Sequence, residues 1–92
     1  MNLADTLKIL RFRRRVSMQQ VATATGVSKA LIWKIETDVS CNPQLNILKE
    51  LAGYFHVKVS ELIGENPIIL NEREQLFIKE WYEDYERKRT NQ

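Results

Sequence analysis

Apolar residues recur every three or four positions through most of the chain, and strand-like alternation is scarce. That spacing predicts an all-α protein. Leu3, Leu7 and Leu10 form the inward stripe of a first helix running from about residue 3 to 14, with Asn2 as its cap. "SMQQ" has capping-box spacing: the Ser17 hydroxyl takes the orphan amide near Gln20, and Gln20 reaches back. It opens a second helix with Val21, Ala22 and Ala24 facing inward, ended by Gly26 in a left-handed cap. Ser28 caps a third helix seated by Ile32 and Ile35. Asn42 followed by Pro43 reads as a cap plus a first-turn proline, opening a fourth helix that buries Leu45, Leu48, Leu51 and Ala52. "HVKVSELIG" predicts a short fifth helix, with Val57, Val59, Leu62 and Ile63 completing the core.

"GENP" interrupts the pattern and divides the chain into a compact unit, 1–65, and a C-terminal element, 66–92. Asn71 and Glu74 form a further cap pair, after which "NEREQLFIKEWYEDYERKR" runs without a breaker as one long amphipathic helix. Phe77, Trp81 and Tyr85 recur every four residues on it, with Ile78 and Tyr82 alongside. So broad a stripe must pack on something. It predicts a homodimer with the aromatics as interface anchors. Docking on the chain's own first helix, where Ile9 and Phe12 are unusually apolar, is the alternative.

Composition narrows the function classes. Ninety-two residues, 43% apolar and 28% charged, suit one small soluble domain, and no apolar run approaches the roughly 20 residues of a membrane span. Early charge and the lack of a secretory apolar region predict a cytoplasmic protein. Cys41 is the only cysteine and reads as a lone loop thiol. His56 is the only histidine and has no ligand partner at metal-binding spacing, so it reads as a helix-end residue. With no phosphate-binding loop either, the chain is not expected to be an enzyme, and no metal or other cofactor is implied. The overall charge of +2 hides an asymmetry. Residues 1–40 hold seven Lys/Arg against three Asp/Glu, whereas residues 41–92 hold seven against nine. The front half suits a polyanion.

Two short helices joined by a Gly turn, the second opened by a serine cap, form a helix-turn-helix pattern. "LKILRFRRRVSMQQVATATGVSKALIWKIE" followed by "NPQLNILKELAGYFHVKVSELIG" resembles the Cro/phage-repressor (XRE) class of DNA-binding domains over roughly residues 3 to 64. The resemblance implies a five-helix lambda-repressor-like domain, here with the C-terminal amphipathic helix appended, whose third helix enters the DNA major groove. On that analogy Ser28, Lys29, Ala30, Trp33 and Lys34 read bases. Lys29 reaches guanine O6/N7, and Ala30 and the Trp33 ring meet a thymine methyl. The competing reading of the lysines is an ordinary solvated face, and that of Trp33 is packing. Arg11 and Glu36 resemble a family pair linking the first and third helices, with Arg11 also at a phosphate.

The N-terminus of the second helix is expected at a phosphate, through Ser17 and neighbouring amides. The family usually has Gln directly after this cap. Here Met18 cannot donate, so the contact passes to Gln19 or to the backbone. Asp38 stands where the family usually has Gly, and Asp also tolerates a left-handed backbone. Thr37, Ser40 and Asn42 are the remaining phosphate candidates. Of the four arginines in "RFRRR", one or two are expected near phosphates and the rest in solvent. Together these features predict a sequence-specific, dimeric regulator of transcription, acting on double-stranded DNA as a repressor at a near-palindromic operator. The alternative is an antitoxin-type protein that autoregulates its promoter and captures a protein partner through its C-terminal helix.

Overall fold

The structure is a computed structural model that describes the backbone of residues 1–90 and side chains through residue 88. The last two residues of the C-terminal element therefore lie outside the described residues. Six helices follow one another: α1 (Leu3–Arg14), α2 (Met18–Thr25), α3 (Lys29–Thr37), α4 (Leu45–Phe55), α5 (Val59–Leu62) and α6 (Glu72–Thr90). Among the described residues there is no strand.

Local chemistry sets most of the boundaries. Asn2 Oδ1 accepts from the Asp5 amide at 2.8 Å and starts α1. Ser17 and Gln20 make both halves of the capping box, at 3.0 and 2.7 Å. Gly26 closes α2 with φ 77°, a backbone that L side chains adopt only with strain. Ser28 Oγ caps α3 through the Leu31 amide. His56 ends α4 in the same left-handed region, φ 56°, donating its amide to Ala52 and Gly53.

Four expectations fail at this level. α4 starts at Leu45 with Gln44 as its N-cap, two residues later than the Asn42–Pro43 pair implies. The loop turns first at Asp38, whose carbonyl accepts the Cys41 amide at 2.9 Å, and residues 42–44 are used to reach the helix. Leu45 then projects beyond the end of the core and is exposed, while Leu48, Leu51, Ala52 and Phe55 carry the buried stripe. Ala24 is also exposed: the inward stripe of α2 runs through Met18, Val21, Ala22 and Thr25, at i, i+3, i+4 and i+7. Finally, Asp38 is extended, φ −119°, and not left-handed.

The core draws on five helices: Leu7 and Leu10, Val21, Ile32 and Ile35, Leu48, Leu51 and Phe55, and Leu62, with Val27 from the turn. α1 lies at its centre, touching α3, α5 and α6. Its residues from Ala4 to Leu10 are buried on both sides, apart from the partly exposed Asp5. One side faces the core and the other is covered by α6.

α6 runs antiparallel to α1. From one end to the other, Tyr82 donates its hydroxyl to Asp5, the Trp81 ring sits under Lys8, Phe77 stacks on Phe12, and Glu74 meets Arg13. The Phe12 and Phe77 rings are 4.3 Å apart between centroids and nearly parallel. Lys8 Nζ lies 3.2 Å from the Trp81 ring centre and 3.7 Å from Asp5. Burial pushes the Lys8 pKa down, with Asp5 and then Glu36 opposing it. The ring face and the carboxylate stand where water would otherwise solvate the ammonium, and both favour its charged form. Burial also raises the Tyr82 phenol, to about 12, with Asp5 adding to the effect.

Candidate nucleic-acid interface

The second and third helices are seated from below by apolar contacts and leave one face free. On α3, Ile32, Ile35 and Glu36 are buried, while Lys29, Ala30, Trp33 and Lys34 are exposed together with the cap Ser28. Helical phase explains the division: residues 29, 30, 33 and 34 form one i, i+1, i+4, i+5 face, opposite residues 32 and 35. Trp33 is 58% exposed, a large apolar surface left in water by a helix whose other face is fully buried. A tight Gly turn sets this helix against α2, which also packs on α4.

Glu36 is held by Arg11 in a two-point fork, Nε to Oε2 at 2.6 Å and Nη2 to Oε1 at 2.9 Å. The carboxylate is nearly sealed, and the third Arg11 bond, from Nη1 to the Val16 carbonyl, ties the α1–α2 connection to the same point. One guanidinium thus fixes the end of α3 and the approach to α2 relative to α1. Planar bidentate geometry is available to arginine and not to lysine.

The α2 start presents Ser17 and Gln19, both exposed. The Ser17 oxygen accepts the Gln20 amide, so its own proton remains to be donated outward. The Gln19 amide group donates to Thr23 at 3.3 Å. Met18 is turned inward and packs against the core, which accounts for an apolar residue at this position. In the following loop, Thr37 Oγ1 donates back to the Trp33 carbonyl and Ser40 Oγ donates to Asp38. The hydroxyl protons of both are engaged within the chain, whereas Asn42 is exposed. The two Ser40 hydrogen bonds hold the Asp38 carboxyl below its ordinary pKa, so a fixed negative charge stands beside Lys34.

The arginine run does not behave as a solvated patch. Arg11 is bound to Glu36; Arg13 bridges Glu74 and the Ile69 carbonyl; Arg14 donates to the Tyr54 carbonyl at 2.8 Å beside the Tyr54 and Phe55 rings. Three arginines are thus structural staples. Of the four, only Arg15 is exposed without such a partner, on a left-handed backbone with φ 55°. The Arg11–Glu36 pair is the one the family resemblance implies; the sequence offers no signal for the Arg13 and Arg14 contacts, whose partners are 61 and 40 residues distant.

The apolar and aromatic stripe of α6 is divided. Phe77, Ile78, Trp81 and Tyr82 are partly buried, while Tyr85 is 44% exposed and stacks on Trp81. Among the described residues no cluster of His, Cys, Asp or Glu is arranged to hold a metal, and no helix is long and apolar enough to cross a membrane.

A family model described as a helix-turn-helix domain matches residues 2–63. An uncharacterised HTH-type transcriptional regulator of Coxiella burnetii is 32% identical over 75 residues, 82% of this chain and 35% of that protein. The immunity repressor protein of Bacillus phage phi105 is 30% identical over 80 residues, 87% of this chain and 55% of the repressor. The HTH-type transcriptional regulator SlrR of Bacillus subtilis is 36% identical over 56 residues, 61% of this chain and 37% of its own. The chain thus spans between about a third and just over half the length of these relatives. The crystal structure of a transcriptional regulator from Listeria innocua superposes with a TM-score of 0.62 at 24% identity, covering 92% of this chain and 76% of that one, and shares the fold.

Proposed function

The chain belongs to the helix-turn-helix domain family, of the Cro/phage-repressor type, and from that membership we propose that it binds double-stranded DNA as a regulator of transcription. The observation that carries the reading is the exposed α3 face. Trp33 stands 58% exposed between Lys29 and Lys34 on a helix locked from behind by Ile32, Ile35 and the Arg11–Glu36 fork. A rigid helix with an apolar ring flanked by donors suits a major-groove edge, where thymine methyls and guanine acceptors alternate by sequence. The start of α2 supplies the neighbouring phosphate contact through Ser17 and Gln19. Repression follows from occupancy of a promoter.

In this reading Thr37 and Ser40 contribute less than Asn42 to phosphate binding, because their hydroxyl protons are already donated. A dimer would set two α3 helices on half-sites about one helical turn apart. The α6 aromatics are largely spent on α1, which leaves Leu76 and Tyr85 as the apolar surface of α6 for a second copy. The same shortage weakens the antitoxin-type alternative, which needs that surface for a protein partner. Selection of bound duplexes from a random pool, with the mass of the complex, tests the proposal. The expected outcome is an enriched motif in two similar halves, and an unenriched pool would refute it.

A further inference from the structure

We infer that Arg73, from α6, acts with Arg15 to take the phosphodiester backbone flanking the site read by α3, so that the appended helix lengthens the DNA-binding surface. The inference rests on the DNA-binding reading above. Because α6 runs antiparallel to α1, its first turn lies at the end of α1 where the chain enters α2. A groove of about 740 Å³ opens there, its lining including Phe12, Arg15, Val16, Arg73, Leu76 and Phe77. Val16 directly precedes Ser17, the cap of α2, so the groove adjoins the phosphate-facing start of that helix.

The charges around this groove fall into two groups. Arg11, Arg13 and Lys8 are committed to Glu36, Glu74 and the Trp81–Asp5 pair. Among the described residues, the side chains of Arg15 and Arg73 make no ion pair or hydrogen bond. Glu80, the other acid lining the groove, is about two turns further along α6 than Arg73. The fold explains neither free arginine. Arg15 occupies a left-handed position where Gly is unstrained. Arg73 places a cation in the first turn of a helix, against its dipole. A polyanion passing the start of α2 accounts for both, since duplex DNA presents one charge per roughly 1.7 Å of its axis.

The test uses the full chain and one duplex selected by it, with a scrambled duplex beside it, and reads affinity against salt concentration. Arg73→Ala and Arg15→Gly, the latter relieving the backbone, should each reduce the slope of log affinity on log salt by about 0.9. Both duplexes should weaken by the same factor, and Lys79→Ala, an exposed cation of α6 outside the groove lining, should leave the slope unchanged. An unchanged slope in either arginine variant, with the parent still salt-dependent, would overturn this inference and leave the DNA-binding reading standing. A parent chain that binds neither duplex would overturn both.

Discussion

Arg13 and Glu74 are 61 residues apart in sequence and share two hydrogen bonds, at 2.6 and 3.0 Å. Glu74 also accepts the Asn71 amide at 3.0 Å, while its own amide donates to Asn71 Oδ1. One buried carboxylate therefore both caps α6 and fixes it to α1. Glu74→Ala should destabilise the protein by roughly 2 kcal/mol, below the cost of breaking a sealed pair because Arg13 is 40% exposed. Denaturant unfolding checks the loss. The Arg13 hydrogen bond lowers the Glu74 pKa, so its stabilisation is full above the ordinary glutamate range and disappears as pH falls through the depressed value. Glu74→Gln should flatten that part of the acid stability profile.

Arg11 occupies the corresponding position on the other side of α1. Arg11→Ala leaves the nearly sealed Glu36 carboxylate without its fork, and should cost about 3 kcal/mol or more. Arg11→Lys should recover only part of this, because one ammonium cannot reproduce two parallel bonds. Thermal and denaturant midpoints of the three proteins test the order.

Tyr82 supplies a second pH dependence, at the alkaline end. Its phenol is raised to about 12 by burial and by the bond to Asp5, from an ordinary value of 10.0. The protonated form is the one the fold favours, so α6 docking should weaken as pH rises from about 10 towards 12. Tyrosinate absorbance should show a late step near 12, absent in Tyr82→Phe.

Gly64 and Gly26 both have positive φ but different surroundings. A Cβ on Gly64 would lie 1.8 Å from the Met1 carbonyl oxygen, whereas one on Gly26 would meet nothing within 4 Å. Gly26→Ala should lose about 1 kcal/mol for its backbone alone. Gly64→Ala should lose more, because backbone must also move. Equal midpoints for the two variants would contradict the packing of the N-terminal residue on the end of α5.

The six helices were legible from their apolar spacing, and four of them, α1, α2, α3 and α6, also carry side-chain cap chemistry at their starts. Ser17 with Gln20, Gly26, Ser28, and Asn71 with Glu74 all act locally. The start of α4 was not legible, since Gln44 makes no side-chain cap bond and the loop geometry decides the boundary. The α3 face was readable from helical phase. The fates of Arg13 and Arg14 were not, because Glu74 and the Tyr54 carbonyl reach them only through the tertiary fold. The α6 stripe announced that a surface must be covered; the apolar Ile9 and Phe12 offered α1 as one candidate beside a second copy, and in the structure α1 covers much of it.

The most direct test compares Trp33→Ala with the parent on a selected duplex and on a scrambled one at equal salt. Trp33 is exposed and supports no core contact, so the variant should unfold within about 0.5 kcal/mol of the parent. Affinity for the selected duplex should fall several-fold to tenfold or more, as expected for losing about 1–2 kcal/mol of base discrimination. Affinity for the scrambled duplex should barely change. Equal losses on both duplexes, or none on either, would contradict the assignment of this face of α3 to sequence recognition.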